Sequence, residues 1–151
     1  MAELERAVTA IVRWSSRREV QLETMRRARC GLPVGALTML GRIASSGPLH
    51  PSQLAAYYAV DNSTITPQLQ RLERAGLVSR EPDPRDRRAA LVRITRDGTR
   101  MRKRLHEARR AVLEELLSDW SLSERLRVSA ACSHLADRLE LPYAGCPKAQ
   151  P

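Results

Sequence analysis

The run GLVSREPDPRDRRAALVRITRDG, from Gly76 to Gly98, restricts the fold of this chain more than any other stretch. Leu77 and Val78 on one side, and Leu91, Val92 and Ile94 on the other, are apolar and largely β-branched, as strands favour. Between them Pro82, Asp83, Pro84, Arg85, Asp86, Arg87 and Arg88 supply turn chemistry and exposed cations. The spacing predicts a β-hairpin that reaches outward from the body. Two helices around a tight turn at Val60, Asp61 and Asn62 are expected directly before it, across Pro51 to Ala75. Helices and hairpin in that order make a winged helix-turn-helix, a shape suited to gripping duplex DNA.

The second of these helices carries the recognition chemistry. At 100° per residue Ile65, Leu69, Leu72 and Gly76 fall in one narrow sector, the expected core side. The opposite sector holds Ser63, Pro67, Gln70, Arg71 and Arg74, flanked by Thr64 and Thr66. Pro67 has no amide hydrogen and crowds the carbonyl four residues back, so a start near Ser63 or Thr64, with one of them as the cap, is expected. Arg71 suits guanine by a bidentate bond, Gln68 suits adenine if it rotates toward the groove, and Pro67 offers apolar contact. Surface ion pairs of Arg71 and Arg74 with Glu73 or Glu81 are the competing use of those cations.

Helical spacing extends to both ends of the chain. Leu4, Val8, Ile11, Leu22 and Met25 predict one long first helix to about Arg29, with Ser15 and Arg18 interrupting its apolar stripe. Gly31 stops that helix, and Pro33 opens the next at its first position, with Val34, Leu37, Leu40 and Ala44 inward. Leu49 is expected to add a one- or two-residue strand to the hairpin, and His50-Pro51 to start the third helix, with Leu54, Ala55 and Tyr58 inside. Thr95 caps a fifth helix of roughly 22 residues, about 33 Å long, carrying Met101, Leu105, Ala108, Val112 and Leu116. Ser123 followed by Glu124 opens a sixth, with Leu126, Ala130, Leu135 and Leu139 inside. The expected fold is mainly α with a small β-wing: six helices and a two- to three-stranded sheet. Residues 1–32 and 96–140 form helical dimerisation arms from both termini, 33–95 the winged lobe and 141–151 a flexible tail. The arms carry more apolar stripe than so small a lobe can cover, so a homodimer is expected.

The net charge of +9 favours a polyanionic partner. All 26 cationic residues are arginine save Lys103 and Lys148, a skew that genome composition also produces, so their placement carries more weight than their number. Phe is absent and aromatics make up 3% of the chain, which argues against stacking of single strands. No apolar run approaches the roughly 20 residues of a membrane span, and the start of the chain lacks the apolar core of a signal peptide, so a cytoplasmic protein with no membrane partner is expected. Cys30, Cys132 and Cys146 are odd in number and far apart, as reduced thiols are. His50, His106, Cys132 and His134 are too scattered for a metal site, no cofactor is expected, and no constellation of nucleophile and base points to an enzyme.

Taken in order, these elements resemble the multiple-antibiotic-resistance regulator (MarR) family of bacterial transcription factors, over nearly the whole chain from about Leu4 to Glu140. The run DRRAALVRITRDG, Asp86 to Gly98, is similar to the family's wing signature of Asp, any residue, Arg, an apolar strand, Leu-Thr and Gly, with Ile94 where Leu is usual. The run STITPQLQRLERAGLV, Ser63 to Val78, resembles the family's recognition helix entering the wing. The resemblance implies a dimer whose helices interlock at both chain ends and whose two lobes read a pseudo-palindrome. It implies that Arg88 enters the minor groove, braced by Asp86, with Arg85 and Arg87 near phosphates, reading groove shape more than bases. Ser63, Thr64, Thr66, Pro67, Gln68 and Arg71 match positions that face DNA in relatives.

Relatives also hold small, often aromatic anions between arms and lobe. Trp14 and Arg18 suit such an effector, and Met39 and Tyr57 are candidates to line the same cleft. The expected function is repression of a promoter, relieved by such a ligand. Two other readings stay open: a thiol redox switch at Cys30, whose thiolate Arg26, Arg27 and Arg29 would favour, and a nucleoid-type binder of low specificity.

Overall fold

The computed structural model describes residues 1–86 and 89–140. In chain order the elements are α1 (Ala2–Ser15), α2 (Arg18–Arg27), α3 (Val34–Ser46), α4 (Pro51–Tyr58), α5 (Asn62–Arg74), β1 (Val78–Pro82), β2 (Ala90–Ile94), α6 (Arg96–Leu116) and α7 (Leu122–Glu140). Among the described residues there are thus seven helices where the spacing predicts six. The expected first helix is broken at Ser16 and Arg17. Ser15 turns its hydroxyl onto the Val12 carbonyl at 2.9 Å, and Arg17 takes an extended conformation. A short polar side chain that competes for backbone groups ends a helix in this way.

The hairpin forms as expected. β1 and β2 run antiparallel with Val78 opposite Ile94 and Pro82 opposite Ala90. Leu49 bridges to Val92 by two backbone bonds of 3.1 and 2.8 Å, supplying the short third strand. Thr95 caps α6 by accepting the Gly98 N–H at 3.0 Å, and α6 runs for 21 residues. For α7 the cap is Ser121, two residues before the expected Ser123. Its N–H and hydroxyl donate to the Glu124 carboxylate at 2.8 and 2.6 Å, and its hydroxyl oxygen accepts the Glu124 N–H at 3.4 Å, closing a capping box. Those bonds hold the Glu124 carboxyl below its ordinary value.

Pro33 precedes α3 as its N-cap instead of occupying the first turn. α3 is the organising helix, because it is buried on more than one face. Ala36, Met39, Leu40 and Ile43 join Leu54, Ile65, Leu69, Leu72, Leu77, Val78 and Val92 in the main core. Leu37 instead joins Ala28, Leu105 and Ala108 in a second cluster, with Met25, Cys30, Leu32 and Met101 packed against it. Of the inward set expected for α3, Leu37 and Leu40 are buried while Val34 and Ala44 are only half-buried, and Ala36, Met39 and Ile43 are buried as well: a helix clamped from two sides buries more than one stripe.

The chain divides into two compact units, Met1–Val112 and the residues from Leu113 onward. In the first, α1 buries no residue, and Leu4, Val8, Ile11 and Val12 stand exposed, as does Leu22 of α2. In the second, Leu126 and Leu135, expected to point inward, are 61% and 41% exposed, and Ala130 is exposed too. The expected tail, 141–151, lies outside the described residues.

Candidate nucleic-acid interface

Each end of the helix-turn-helix is closed by a specific backbone device. α4 ends on Ala59 in the left-handed conformation (φ 51°), with the Val60 N–H bonded to the Ala55 carbonyl at 3.0 Å. α5 is capped by Ala75, and the next residue, Gly76 (φ 68°), turns the chain, with the Leu77 N–H on the Leu72 carbonyl at 2.9 Å, so Leu77 folds back into the core as β1 begins. Gly76, expected on the core side, is instead this exposed turn residue. α5 starts one residue earlier than Ser63, at Asn62 with Asp61 as N-cap, and Pro67 lies inside the helix. The Thr66 hydroxyl bonds the Asn62 carbonyl at 2.8 Å, turning that side chain back onto its own helix.

The helical wheel of α5 is realised. Ile65, Leu69 and Leu72 are buried, while Ser63, Thr64, Thr66, Pro67, Gln70, Arg71 and Arg74 are exposed. The competing ion pairs go elsewhere: Glu73 holds Arg80 at 2.7 Å and Glu81 holds Arg93 at 3.0 Å. Arg74 reaches only Gln70, at 3.4 Å, and no ion pair engages Arg71 among the described residues. Gln68 is the exception on this face. Its amide packs toward Gly35 of α3, and its Oε1 is buried without a hydrogen-bond partner among the described residues.

At the wing, Arg85 and Asp86 are exposed and the Asp86 carbonyl accepts the Ala89 N–H at 2.9 Å. Arg87 and Arg88 lie outside the described residues. Asp83, which the sequence presents as one more turn residue, is only 8% exposed. One of its oxygens accepts the Arg85 N–H at 2.8 Å and the other faces His50 Nε2 at 2.9 Å. Two further bonds lock the wing to α5: Glu73 to Arg80, and the Thr95 hydroxyl to the Gly76 carbonyl at 2.7 Å. Sequence spacing marks Thr95 as a cap but gives no sign of His50 or of this second bond, because both join residues far apart in the chain.

The candidate effector residues separate. Trp14 is half-buried on α1, Arg18 is exposed at the start of α2, and Met39 is enclosed in the core. Tyr57 is exposed on α4, with the Arg42 guanidinium 3.8 Å from its ring centre and Tyr58 packed edge-on at 4.9 Å. Burial, and then Tyr57, push the Tyr58 hydroxyl above its ordinary value, with Arg42 opposing. Cys30 is half-buried against the second apolar cluster. Of the arginines near it, Arg26 and Arg27 pair with Glu23 at 2.7 and 2.6 Å, and these bonds hold the Glu23 carboxyl down to about 2. The described residues contain no group of three His, Cys, Asp or Glu placed to hold a metal, and no helix long and apolar enough to cross a membrane.

Comparison with known proteins agrees with this arrangement. Residues 32–90 match the MarR family. The chain is 30% identical over 109 residues to the HTH-type transcriptional regulator YxaD of Bacillus subtilis, covering 72% of this chain and 76% of that one. It is 30% identical over 103 residues to the regulator PecS of Dickeya dadantii, covering 68% and 62%. The crystal structure of a transcriptional regulator from Thermotoga maritima superposes with a TM-score of 0.74 at 28% identity, over 93% of this chain and 96% of that one.

Proposed function

The chain belongs to the MarR family of winged helix-turn-helix regulators, and from that premise we propose that it binds a pseudo-palindromic DNA operator as a homodimer and represses the promoter there. The observation that carries this reading is the solvent face of α5. Ser63, Thr64, Thr66, Pro67 and Arg71 stand exposed on a helix rigidly joined, through Gly76 and Thr95, to a wing that presents Arg85. α5 then enters the major groove, and the wing reaches the adjacent minor groove with Arg85, Arg87 and Arg88, Asp86 bracing the last. Gln68 is turned toward α3 and reaches a base by rotating toward the groove.

Residues 1–32 and 96–140 serve as dimerisation arms around the lobe of 33–95. The exposed apolar positions of α1 and α7 support this, since such stripes are buried in stable proteins. Two recognition helices must meet major grooves about 34 Å apart, so a small anionic ligand that favours another spacing releases the operator. The Trp14 ring and the Arg18 guanidinium are suited to such a ligand; Met39, enclosed in the core, is not. The setting is the cytoplasm, where the chromosome is accessible.

The test is footprinting upstream of the protein's own gene, followed by competition with unrelated duplex at matched salt. Protection of one palindromic site that resists competition supports the reading, while equal competition points to a low-specificity binder. Arg88→Ala and Arg71→Ala should each weaken operator binding by about tenfold or more, on the order of 1.4 kcal/mol. Unchanged affinity in both would overturn the assignment of α5 and the wing. Operator release by peroxide that Cys30→Ser abolishes would favour the thiol switch instead.

A further inference from the structure

The fold places an unusual number of bonds where α4 begins. Leu49 is paired with Val92 of β2, and the next residue, His50, is the N-cap of α4. The His50 N–H donates to Gln53 Oε1 at 2.8 Å, and its carbonyl accepts the N–H groups of Gln53 and Leu54 at 3.0 and 3.3 Å. Its ring then leaves the helix and meets Asp83 beyond the end of β1, Nε2 to Oδ2, at 2.9 Å. Asp83 is the point where the strand ladder gives way to the tip. Its N–H bonds the Ala89 carbonyl at 3.0 Å, and its other oxygen holds the Arg85 N–H. A carboxylate this buried requires partners for both oxygens, and it has them. Adjacent residues 49 and 50 are thereby stitched to both strands of the hairpin, Leu49 to β2 and His50 to the end of β1.

We propose that His50 and Asp83 form a positioning pair that sets the angle of the wing against α4, so that the wing and α5 engage one duplex together. The inference rests on the DNA-binding reading above and adds to it a residue pair that touches no DNA. A bond between half-exposed groups contributes little when it only decorates a surface. This one differs in that its acid is buried and also anchors the Arg85 backbone, so losing it frees the tip without opening the core, whose large side chains lie elsewhere. Arg80–Glu73 and Thr95–Gly76 hold the base of the hairpin to α5. The pair at His50 holds its far end to α4.

The experiment uses a duplex enriched from random sequence by the wild-type protein. Affinity is measured across a salt series for His50→Leu, His50→Gln, Asp83→Asn and the double variant His50→Leu/Asp83→Asn, with melting recorded without DNA. His50→Leu should bind about tenfold more weakly and lower the slope of log affinity against log salt by about one, the signature of one lost phosphate contact. His50→Gln, which keeps a donor at similar reach, should stay within about threefold of wild type. Asp83→Asn removes a negative charge, which by itself strengthens binding to DNA, so weaker binding there is diagnostic and keeps the test alive if His50→Leu melts too low. The double variant should be no worse than the weaker single. Wild-type affinity and slope in His50→Leu and Asp83→Asn, equal losses in His50→Leu and His50→Gln, or additive losses in the double variant would overturn the pair's role. If the wild-type chain enriches no duplex at all, the DNA-binding reading falls first, and this inference with it.

Discussion

A methyl group at Gly98 would overlap the carbonyl oxygen of Leu77. It would also sit 2.7 Å from Ile94 Cγ1 and 3.1 Å from the Leu77 carbonyl carbon. Gly98 lies in the first turn of α6, so only a residue without Cβ lets that helix start flush against the junction of α5 and the wing. Gly98→Ala should therefore cost about 3 kcal/mol, the upper range for forcing a group into a packed site. Urea unfolding checks it, and a loss under about 0.5 kcal/mol would mean that the backbone simply moves aside.

Thr95 serves two elements at once, donating to the Gly76 carbonyl and accepting the Gly98 N–H. Thr95→Val keeps the shape and removes both bonds, and should destabilise by about 1–2 kcal/mol. Thr95→Ser should recover most of that. Equal melting of the valine and serine variants would show that the hydroxyl is dispensable.

Glu23 gives an acid-range signature. Its bonds to Arg26 and then Arg27 lower its carboxyl from an ordinary value of 4.5 to about 2 in the folded chain. A carboxyl depressed on folding stabilises the fold at pH values above its unfolded value, and that contribution is lost as the pH falls from 4.5 toward 2. Glu23→Gln should therefore flatten the fall in stability across that window, with the difference shrinking in high salt. An identical pH profile in the two proteins would remove Glu23 from acid unfolding.

Ile11 is 58% exposed on a helix with no buried residue, so replacing it costs the single chain little. If α1 lies in the dimer interface, Ile11→Asp places a charge in apolar contact and should weaken association by about 2 kcal/mol or more, roughly thirtyfold. Sedimentation at graded concentration measures the shift, alongside circular dichroism that should stay unchanged. Wild-type self-association in the variant would place the interface elsewhere.

The hairpin, the inward face of α5 and the cap at Thr95 were all legible because each depends on neighbours within a few positions. β-branched runs around a Pro/Asp turn, a 100° repeat and a Thr three residues before Gly98 are local patterns, and the structure realises them. Local readings were less secure wherever two local options compete. Asp61 stands at the N-cap position of α5, with no side-chain cap bond, although Ser63 and Thr64 carry capping chemistry, and Ser121 caps α7 although Ser123 stands nearby. The break after Ser15 belongs with these, since an apolar stripe continues on both sides of it.

Side-chain direction in three dimensions was not legible. Met39 looked available for a ligand and is core, because α3 is covered on more than one side. Gln68 suits a base only if it rotates, and its amide turns toward Gly35 of α3, thirty-three residues earlier in the chain. Arg42 and Tyr57 stack although nothing in their spacing links them. The amino-acid order alone determined the element types and the chemistry on their faces, through backbone preference and periodic hydrophobicity, which act over a turn or a strand. Only the tertiary structure decided which polar groups would meet, His50 with Asp83 and Thr95 with Gly76, because such bonds depend on where separate elements come to rest once the core has closed.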